Sequence, residues 1–305
     1  MVAVLTLLLA MTASSPDTSD TLPYYPDGVQ RTVVDGRSIA YVDSGGDKPV
    51  LLFVHGLGSN LSLWRHSLDA FRNTYRVVAL DLPGFGLSDK QDVPATMPFF
   101  ADTVVGFLDA LSIDRVTYVG ASMGGQVGLT LALRHPDRLD RLALVSPAGI
   151  ETFSAQDATA LTSMTTPQSI ASATAKQVRQ NTRINFATWR DTYAWLIEQR
   201  KALAQRDDFM AYATANAKAV AGMLNGAVRD RLDEVQTPTL VLFGAGDKLI
   251  PNRYLHPNRT TADVAQTADD ALPNAEVHLV DNAGHLLMLE QTDVFHENLR
   301  AFLND

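Results

Sequence analysis

The sequence predicts an α/β fold: a mostly parallel sheet flanked by helices, with a helical segment inserted after the sixth strand. Three observations carry that reading. Short, unbroken apolar runs recur along the chain, such as Pro49, Val50, Leu51, Leu52, Phe53 and Val54, and an unbroken run marks a strand buried on both faces. Stretches with helical spacing separate these runs, at residues 60–72, 97–111 and 123–134, and strands alternating with helices imply parallel pairing through right-handed crossovers. The alternation then lapses over residues 151–233, which hold no convincing strand, and resumes afterwards. With 305 residues, 46% of them hydrophobic and 19% charged, the chain can bury a substantial core.

Taken in order, residues 1–13 are mostly apolar and carry no charged side chain. They are too few for a membrane span, which needs about 20 apolar residues. Thr12, Ala13, Ser14 and Ser15 then supply small residues suited to a signal peptidase, although no Lys or Arg precedes them. Residues 1–15 therefore read as a signal peptide or N-terminal anchor, and the expectation is export to the periplasm or medium. A membrane-anchored or cytoplasmic protein is the alternative. Residues 16–27, rich in Ser, Thr, Asp and Pro, read as a linker.

The core is expected over residues 28–150 and 234–305. Asp35-Gly36 between two apolar runs signals a hairpin. Strand runs follow at 49–54, 76–80, 116–119 and 141–145. Over 151–233, amphipathic helical stretches are expected at 167–180, 187–205 and 208–223, and the whole segment reads as a helical lid. Strand runs at 239–243 and 276–280, and a helix over about 290–303, complete the core.

Composition narrows function. With no cysteine, disulfide scaffolds, zinc–thiolate sites, iron–sulfur clusters, a cysteine nucleophile and a lipoprotein anchor are excluded. The formal charge of −9 would be repelled by a nucleic-acid duplex or an anionic membrane surface, so neither is an expected partner. Nothing in the sequence requires a metal or an organic cofactor.

The segment Gly120, Ala121, Ser122, Met123, Gly124 and Gly125 lies between a buried strand and a helix. This is the G-x-S-x-G pattern in the context that gives it meaning: a serine on a sharp strand-to-helix turn, with Gly120 and Gly124 where side chains would collide. A serine attacking a carbonyl creates an oxyanion, which needs preorganised N–H donors. Met123 follows the nucleophile and supplies one. Leu57, between Gly56 and Gly58 in the loop after the third strand, is best placed for the other. His55 in the same loop reads as a histidine that holds it in shape.

The serine also needs a base. Of seven histidines, only His285 stands on a loop just after a late strand and before a helix. Asp247, in the Gly-rich turn after the preceding strand, is the acid expected to orient it. Both loops leave carboxyl ends of strands, where open α/β sheets build their sites. The chain order Ser122, Asp247, His285 is the one expected with a nucleophile elbow.

On these segments, with Asp81-Leu82-Pro83-Gly84-Phe85-Gly86-Leu87-Ser88 added, the chain resembles the α/β-hydrolase superfamily, and within it the lid-bearing serine hydrolases of esterase or lipase type. The resemblance covers about residues 28–304, least closely over 151–233. It implies hydrolysis of a small-molecule carboxylic ester or other acyl substrate through an acyl-enzyme. The alternatives are a C–C bond hydrolase of vinylogous diketones and a non-catalytic ligand-binding protein. It places Asp81 to Ser88 at the edge of the site, outside the chemistry. Dehalogenase-like and epoxide-hydrolase-like relatives carry Asp where this chain has Ser122. A longer stretch over 251–259 departs from the pattern and reads as a surface loop. The lid aromatics and aliphatics Phe153, Ile184, Phe186, Trp189, Trp195, Phe209, Met210 and Met223 are expected mostly to bury against the core.

Overall fold

The computed structural model describes residues 21–304. The expected signal peptide or anchor lies outside the described residues, as does the start of the expected linker. The end of that linker is packed against the core: Leu22 is buried, and the Tyr25 hydroxyl donates to Asp81 Oδ2 at 2.9 Å. Composition suggested a linker because it averages over the segment and misses the apolar anchors at its end.

Eight strands form one sheet: β1 (Gln30–Val34), β2 (Arg37–Asp43), β3 (Val50–Val54), β4 (Arg76–Leu80), β5 (Val116–Ala121), β6 (Leu139–Val145), β7 (Thr239–Gly244) and β8 (Ala275–Val280). Their order is β1-β2-β4-β3-β5-β6-β7-β8. β2 runs antiparallel to both β1 and β4, and every other pairing is parallel. The antiparallel hairpin turns at Asp35 and Gly36, both at positive φ, as the Asp-Gly pair predicts.

Helices α1 (Arg65–Phe71), α2 (Met97–Ala110) and α3 (Met123–Arg134) connect the first strands. Alternate residues of each strand sort to opposite faces. Leu52, Val54, Val78, Leu80 and Tyr118 bury with Phe100, Val104 and Phe107 of α2 and Val127 and Leu131 of α3. Leu51, Phe53, Val77, Ala79 and Val119 bury with Leu68 and Phe71 of α1 and with Phe295, Leu299 and Phe302 near the C-terminus. Each of the buried Val, Leu and Phe side chains contributes about 1.5–3 kcal/mol of transfer free energy. Two-sided burial is what makes the runs unbroken.

Between β6 and β7 lie five α-helices, two short 3-10 turns and no strand: α4 (Ala155–Met164), α5 (Pro167–Ala171), α6 (Ala175–Arg183), α7 (Trp195–Leu203) and α8 (Phe209–Asn225). The helix expected over 167–180 is two. Thr174 opens α6 with a reciprocal capping box to Gln177, as Thr166 does for α5 with Ser169, and each cap starts a new helix. The helix expected over 187–205 begins only at Trp195. The N–H groups of Ala187 and Thr188 bond to Glu290, and the Phe186 and Ala187 carbonyls to Lys248, which takes these groups away from any helix. α4 has no buried residue, so no apolar stripe announces it in the sequence. Of the apolar side chains expected to bury here, Phe186 and Trp195 do, whereas Met210 stays half exposed.

Helices α9 (Thr261–Ala271), α10 (Leu287–Glu290) and α11 (Thr292–Asn304) complete the fold. The loop 251–259 lies at the surface but is pinned. His256 pairs with the buried Glu151, the Asn252 N–H donates to the same carboxylate at 2.8 Å, and Phe153 stacks on His256.

Candidate active site

Ser122 sits between β5 and α3 at φ 53°, ψ −115°, a strained conformation for a residue with a Cβ. Its neighbours explain why the chain tolerates it only here. A Cβ on Gly120 would lie 2.4 Å from the Gly124 carbonyl oxygen, and one on Gly124 would lie 2.5 Å from that of Val54. Strand β3, strand β5 and helix α3 thus meet backbone to backbone. The Tyr118 hydroxyl donates to the Gly124 carbonyl at 2.7 Å, and the Ser122 N–H to Val145 at 2.9 Å. Ser122 precedes α3 yet makes no capping bond with its side chain, which leaves Oγ available to a ligand.

The loop after β3 lies against this turn: a Cβ on Gly56 would be 3.1 Å from Ser122 Cβ. Among the described residues, neither the Leu57 nor the Met123 N–H is taken by a loop or turn hydrogen bond, and Met123 as the first residue of α3 has no intrahelical acceptor. Gly58 adopts φ +69° and rests on α8, whose Tyr212 hydroxyl donates to its carbonyl at 3.2 Å.

Asp247 and His285 meet as expected. His285 Nδ1 lies 2.8 Å from Asp247 Oδ2, and both side chains are buried. Asp247 Oδ1 accepts from the Leu249 and Ile250 N–H groups at 2.7 and 3.1 Å. Ser122 and His285 line one cavity of about 580 Å³, together with Leu57, Leu196, Arg200, Asn216 and Met223. Among the described residues no hydrogen bond joins Ser122 Oγ to His285; such contacts are often long without substrate and tighten when it binds.

His55 holds the loop. It is fully buried, donates from Nδ1 to the Gly56 carbonyl at 2.8 Å, and accepts at Nε2 from the Leu82 N–H at 3.1 Å. Burial pushes its pKa down to about 4, so the neutral ring persists. Asp81 is buried beside the same loop and accepts from Leu61 N–H, Leu87 N–H and the Tyr25 hydroxyl. Burial raises its pKa to about 6 in spite of those donors. Ser88 donates to the Asp81 carbonyl. Both residues brace the loop rather than face the cavity.

Asp81 and His55 set opposing pH dependences. Between pH 6 and 4 the folded chain binds a proton at Asp81 that an unfolded chain does not, so Asp81 favours folding on acidification. Over the same range the unfolded chain protonates His55 and the folded one does not, so His55 disfavours it. The buried His296, also lowered to about 4, acts with His55. Asp81→Asn removes only the first effect. Between pH 6 and pH 4 the variant should lose about 2 kcal/mol more stability than the parent, measured by urea unfolding at each pH. Equal slopes for the two proteins would refute this assignment of the proton.

Two charged residues that sequence reasoning missed hold the histidine loop. The Glu290 carboxylate accepts from the Gly284, Ala187 and Thr188 N–H groups at 2.8, 3.0 and 2.7 Å. Lys248, next to Asp247, donates to the Phe186 and Ala187 carbonyls. Together they tie the loops of Asp247 and His285 to residues 186–188. Their partners are backbone groups distant in sequence, so no motif marks them. No group of three or more His, Asp or Glu suited to a metal occurs among the described residues.

The chemistry this cavity can support is acyl transfer: a hydroxyl at a helix N-terminus, an imidazole oriented by a carboxylate, and free N–H donors for developing charge. The chain belongs to the alpha/beta hydrolase fold family, whose model matches residues 49–292. It is 30% identical over 281 residues to the dihydrolipoyllysine-residue acetyltransferase component of the acetoin cleaving system of Cupriavidus necator, covering 88% of this chain and 67% of that protein. It is also 30% identical over 285 residues to a 2-hydroxy-6-oxononadienedioate/2-hydroxy-6-oxononatrienedioate hydrolase of Paraburkholderia phymatum, covering 87% and 90%. The crystal structure of a hydrolase from Pseudomonas aeruginosa superposes with a TM-score of 0.75 at 24% identity, over 92% of this chain and all of that one. The chain is thus an α/β hydrolase.

Proposed function

We propose that the chain is a serine hydrolase of small carboxylic esters that works through an acyl-enzyme. Ser122 is the nucleophile, His285 its base and then the acid for the leaving alcohol, and Asp247 the carboxylate that orients the imidazole. The Leu57 and Met123 N–H groups receive the oxyanion, and residues 151–233 act as a lid. The observation that carries the reading is the strained Ser122 turn opening into the same cavity as the His285–Asp247 pair. A fluorophosphonate should label Ser122 alone, and a panel of p-nitrophenyl esters of graded acyl length should be turned over. An adduct mapped to another residue would refute the assignment.

A second reading, hydrolysis of a C–C bond in a vinylogous diketone, draws support from the Paraburkholderia relative, which matches over 90% of its length. One such diketone in the panel separates the two: fast turnover of it with little ester activity favours the second.

The lid reading makes its own prediction. Trp189 and Trp195 do not line the cavity, whereas Leu196 and Met223 do. Leu196→Ala and Met223→Ala should therefore shift KM and the preferred acyl length more than kcat on an acetate ester, because contacts made equally in the ground and transition states alter KM. Thermal melts come first, since trimming a buried side chain can cost about 2–5 kcal/mol. If both folded variants kept the parent ranking of esters, the lid would not select the acyl group.

A further inference from the structure

We propose that Glu290 and Lys248 are positioning residues of the reaction: they seat residues 185–188 of the lid segment against the loops of Asp247 and His285, and the imidazole is aligned only while that stretch is seated. The inference rests on the serine-hydrolase reading and adds to it a link between lid and base.

His285 is held by its backbone more than by its ring. Among the described residues the ring makes one hydrogen bond, to Asp247. The N–H groups on either side of it lead to the 185–188 stretch. Leu286 N–H donates to the Asn185 carbonyl at 3.1 Å. Gly284 N–H donates to Glu290 Oε2 at 2.8 Å, and the same oxygen accepts from Ala187 N–H at 3.0 Å. Glu290 Oε1 accepts from Thr188 N–H at 2.7 Å. One buried carboxylate thus joins the histidine loop to the lid, and three N–H donors satisfy a charge that would otherwise be costly to bury. Lys248, the neighbour of Asp247, grips the same stretch from the acid's loop: its Nζ donates to the Phe186 and Ala187 carbonyls at 2.8 and 3.1 Å.

The packing leaves this contact little slack. A Cβ on Gly284 would lie 2.5 Å from the Ala187 nitrogen, one on Gly246 2.8 Å from Ala187 Cβ, and one on Gly244 2.2 Å from the Gly284 carbonyl oxygen. The loop of the acid, the loop of the base and the lid stretch therefore meet at their backbones. Phe186 anchors the stretch: it is fully buried and stacks on Tyr193 with 4.2 Å between ring centroids. Asn185 lines the Ser122 cavity with Leu286 and His285, so the stretch that seats the base also faces the substrate. Releasing it would free the residues on both sides of His285, and a displacement of about 1 Å in a catalytic group can cost about a hundredfold in rate.

The test separates alignment from stability. Glu290→Ala should lower kcat on an acetate ester by about a hundredfold with KM within about threefold of the parent, because an aligned base acts in the transition state and not in binding. Glu290→Gln should fall between the two: its amide oxygen can keep Gly284 and Ala187, and only Thr188 N–H then faces an NH₂. Lys248→Met should lower kcat by about tenfold. Leu299→Ala, which opens a cavity on the buried face of α11, is the control: it should lower the melting temperature and leave kcat unchanged where all variants are folded. Spectra of protein labelled with ¹⁵N-histidine, with the His285 signals assigned against His285→Gln, should show one neutral tautomer in the parent, its proton on Nδ1, and a mixture in Glu290→Ala and Lys248→Met. Parent kcat in folded Glu290→Ala, a loss carried by KM alone, or an equal loss of kcat in Leu299→Ala would overturn the inference and leave the serine reading intact. If the parent turns over no ester and Ser122 resists the fluorophosphonate, the serine reading fails. The tautomer then decides the inference by itself: a mixture in the variants supports it, and the parent tautomer overturns it. Should Glu290→Ala fail to fold, Lys248→Met remains decisive, and parent kcat with the parent tautomer there overturns it.

Discussion

Ser122→Ala should lower kcat on any ester substrate by about 10⁶ while leaving the fold intact, as expected when nucleophile, base and orienting acid act as a unit. The fold should survive because Ser122 Oγ takes no part in capping α3, and the strained turn is held by contacts the alanine keeps: the Ser122 N–H on Val145, the Tyr118 hydroxyl on Gly124, and the glycine approaches at 120 and 124. A variant with an unchanged melting temperature, no fluorophosphonate adduct and a trace of turnover is the expected result. That trace would come from binding and from the Leu57 and Met123 N–H groups, which the substitution leaves in place. Turnover near the parent rate in a folded sample would remove Ser122 from the chemistry and with it the acyl-enzyme.

Much of the architecture can be read from the linear chain because the inner strands of the sheet are buried on both faces. They appear as apolar runs, the largely exposed edge strands β1 and β8 as weaker ones, and the lapse between β6 and β7 marks five α-helices. The meeting of Asp247 with His285 is legible for a related reason: in a parallel sheet, loops after adjacent strands emerge side by side, and β7 and β8 are neighbours. What the chain conceals are contacts that reach across elements. Glu290 and Lys248 act on backbone groups at 186–188, which no spacing encodes. The late start of α7 follows from those same bonds. That Arg200 turns into the cavity, with its Nη1 buried and unpartnered among the described residues, is likewise visible only in the folded chain. The division at Thr174 could have been found, since Thr, then Gln three residues on, is a helix-start signal. The amphipathic stretch around it masked the break.

The second large effect is expected from Asp247→Asn, a loss in kcat of about 10⁴ with little change in KM, by analogy with the known serine-protease case. The geometry says why so small a change should cost so much. Asp247 presents Oδ1 to two backbone donors, Leu249 N–H at 2.7 Å and Ile250 N–H at 3.1 Å, and Oδ2 to His285 Nδ1 at 2.8 Å. In an asparagine the single amide oxygen should stay with the two N–H groups, because reversing it would set an NH₂ against both of them. The amide nitrogen then faces His285 Nδ1 and donates to it. That bond holds the imidazole in the tautomer with its proton on Nε2, the atom that must accept a proton from Ser122. The variant should fold, since all three hydrogen bonds of the side chain keep a partner, and a crystal structure should superpose on the parent. Fluorophosphonate should still reach Ser122, at a much reduced rate, which separates a lost base from a lost nucleophile. If Asp247→Asn kept kcat within about threefold of the parent, less than 1 kcal/mol of barrier, another group would have to orient His285. The 2.8 Å contact would then be structural.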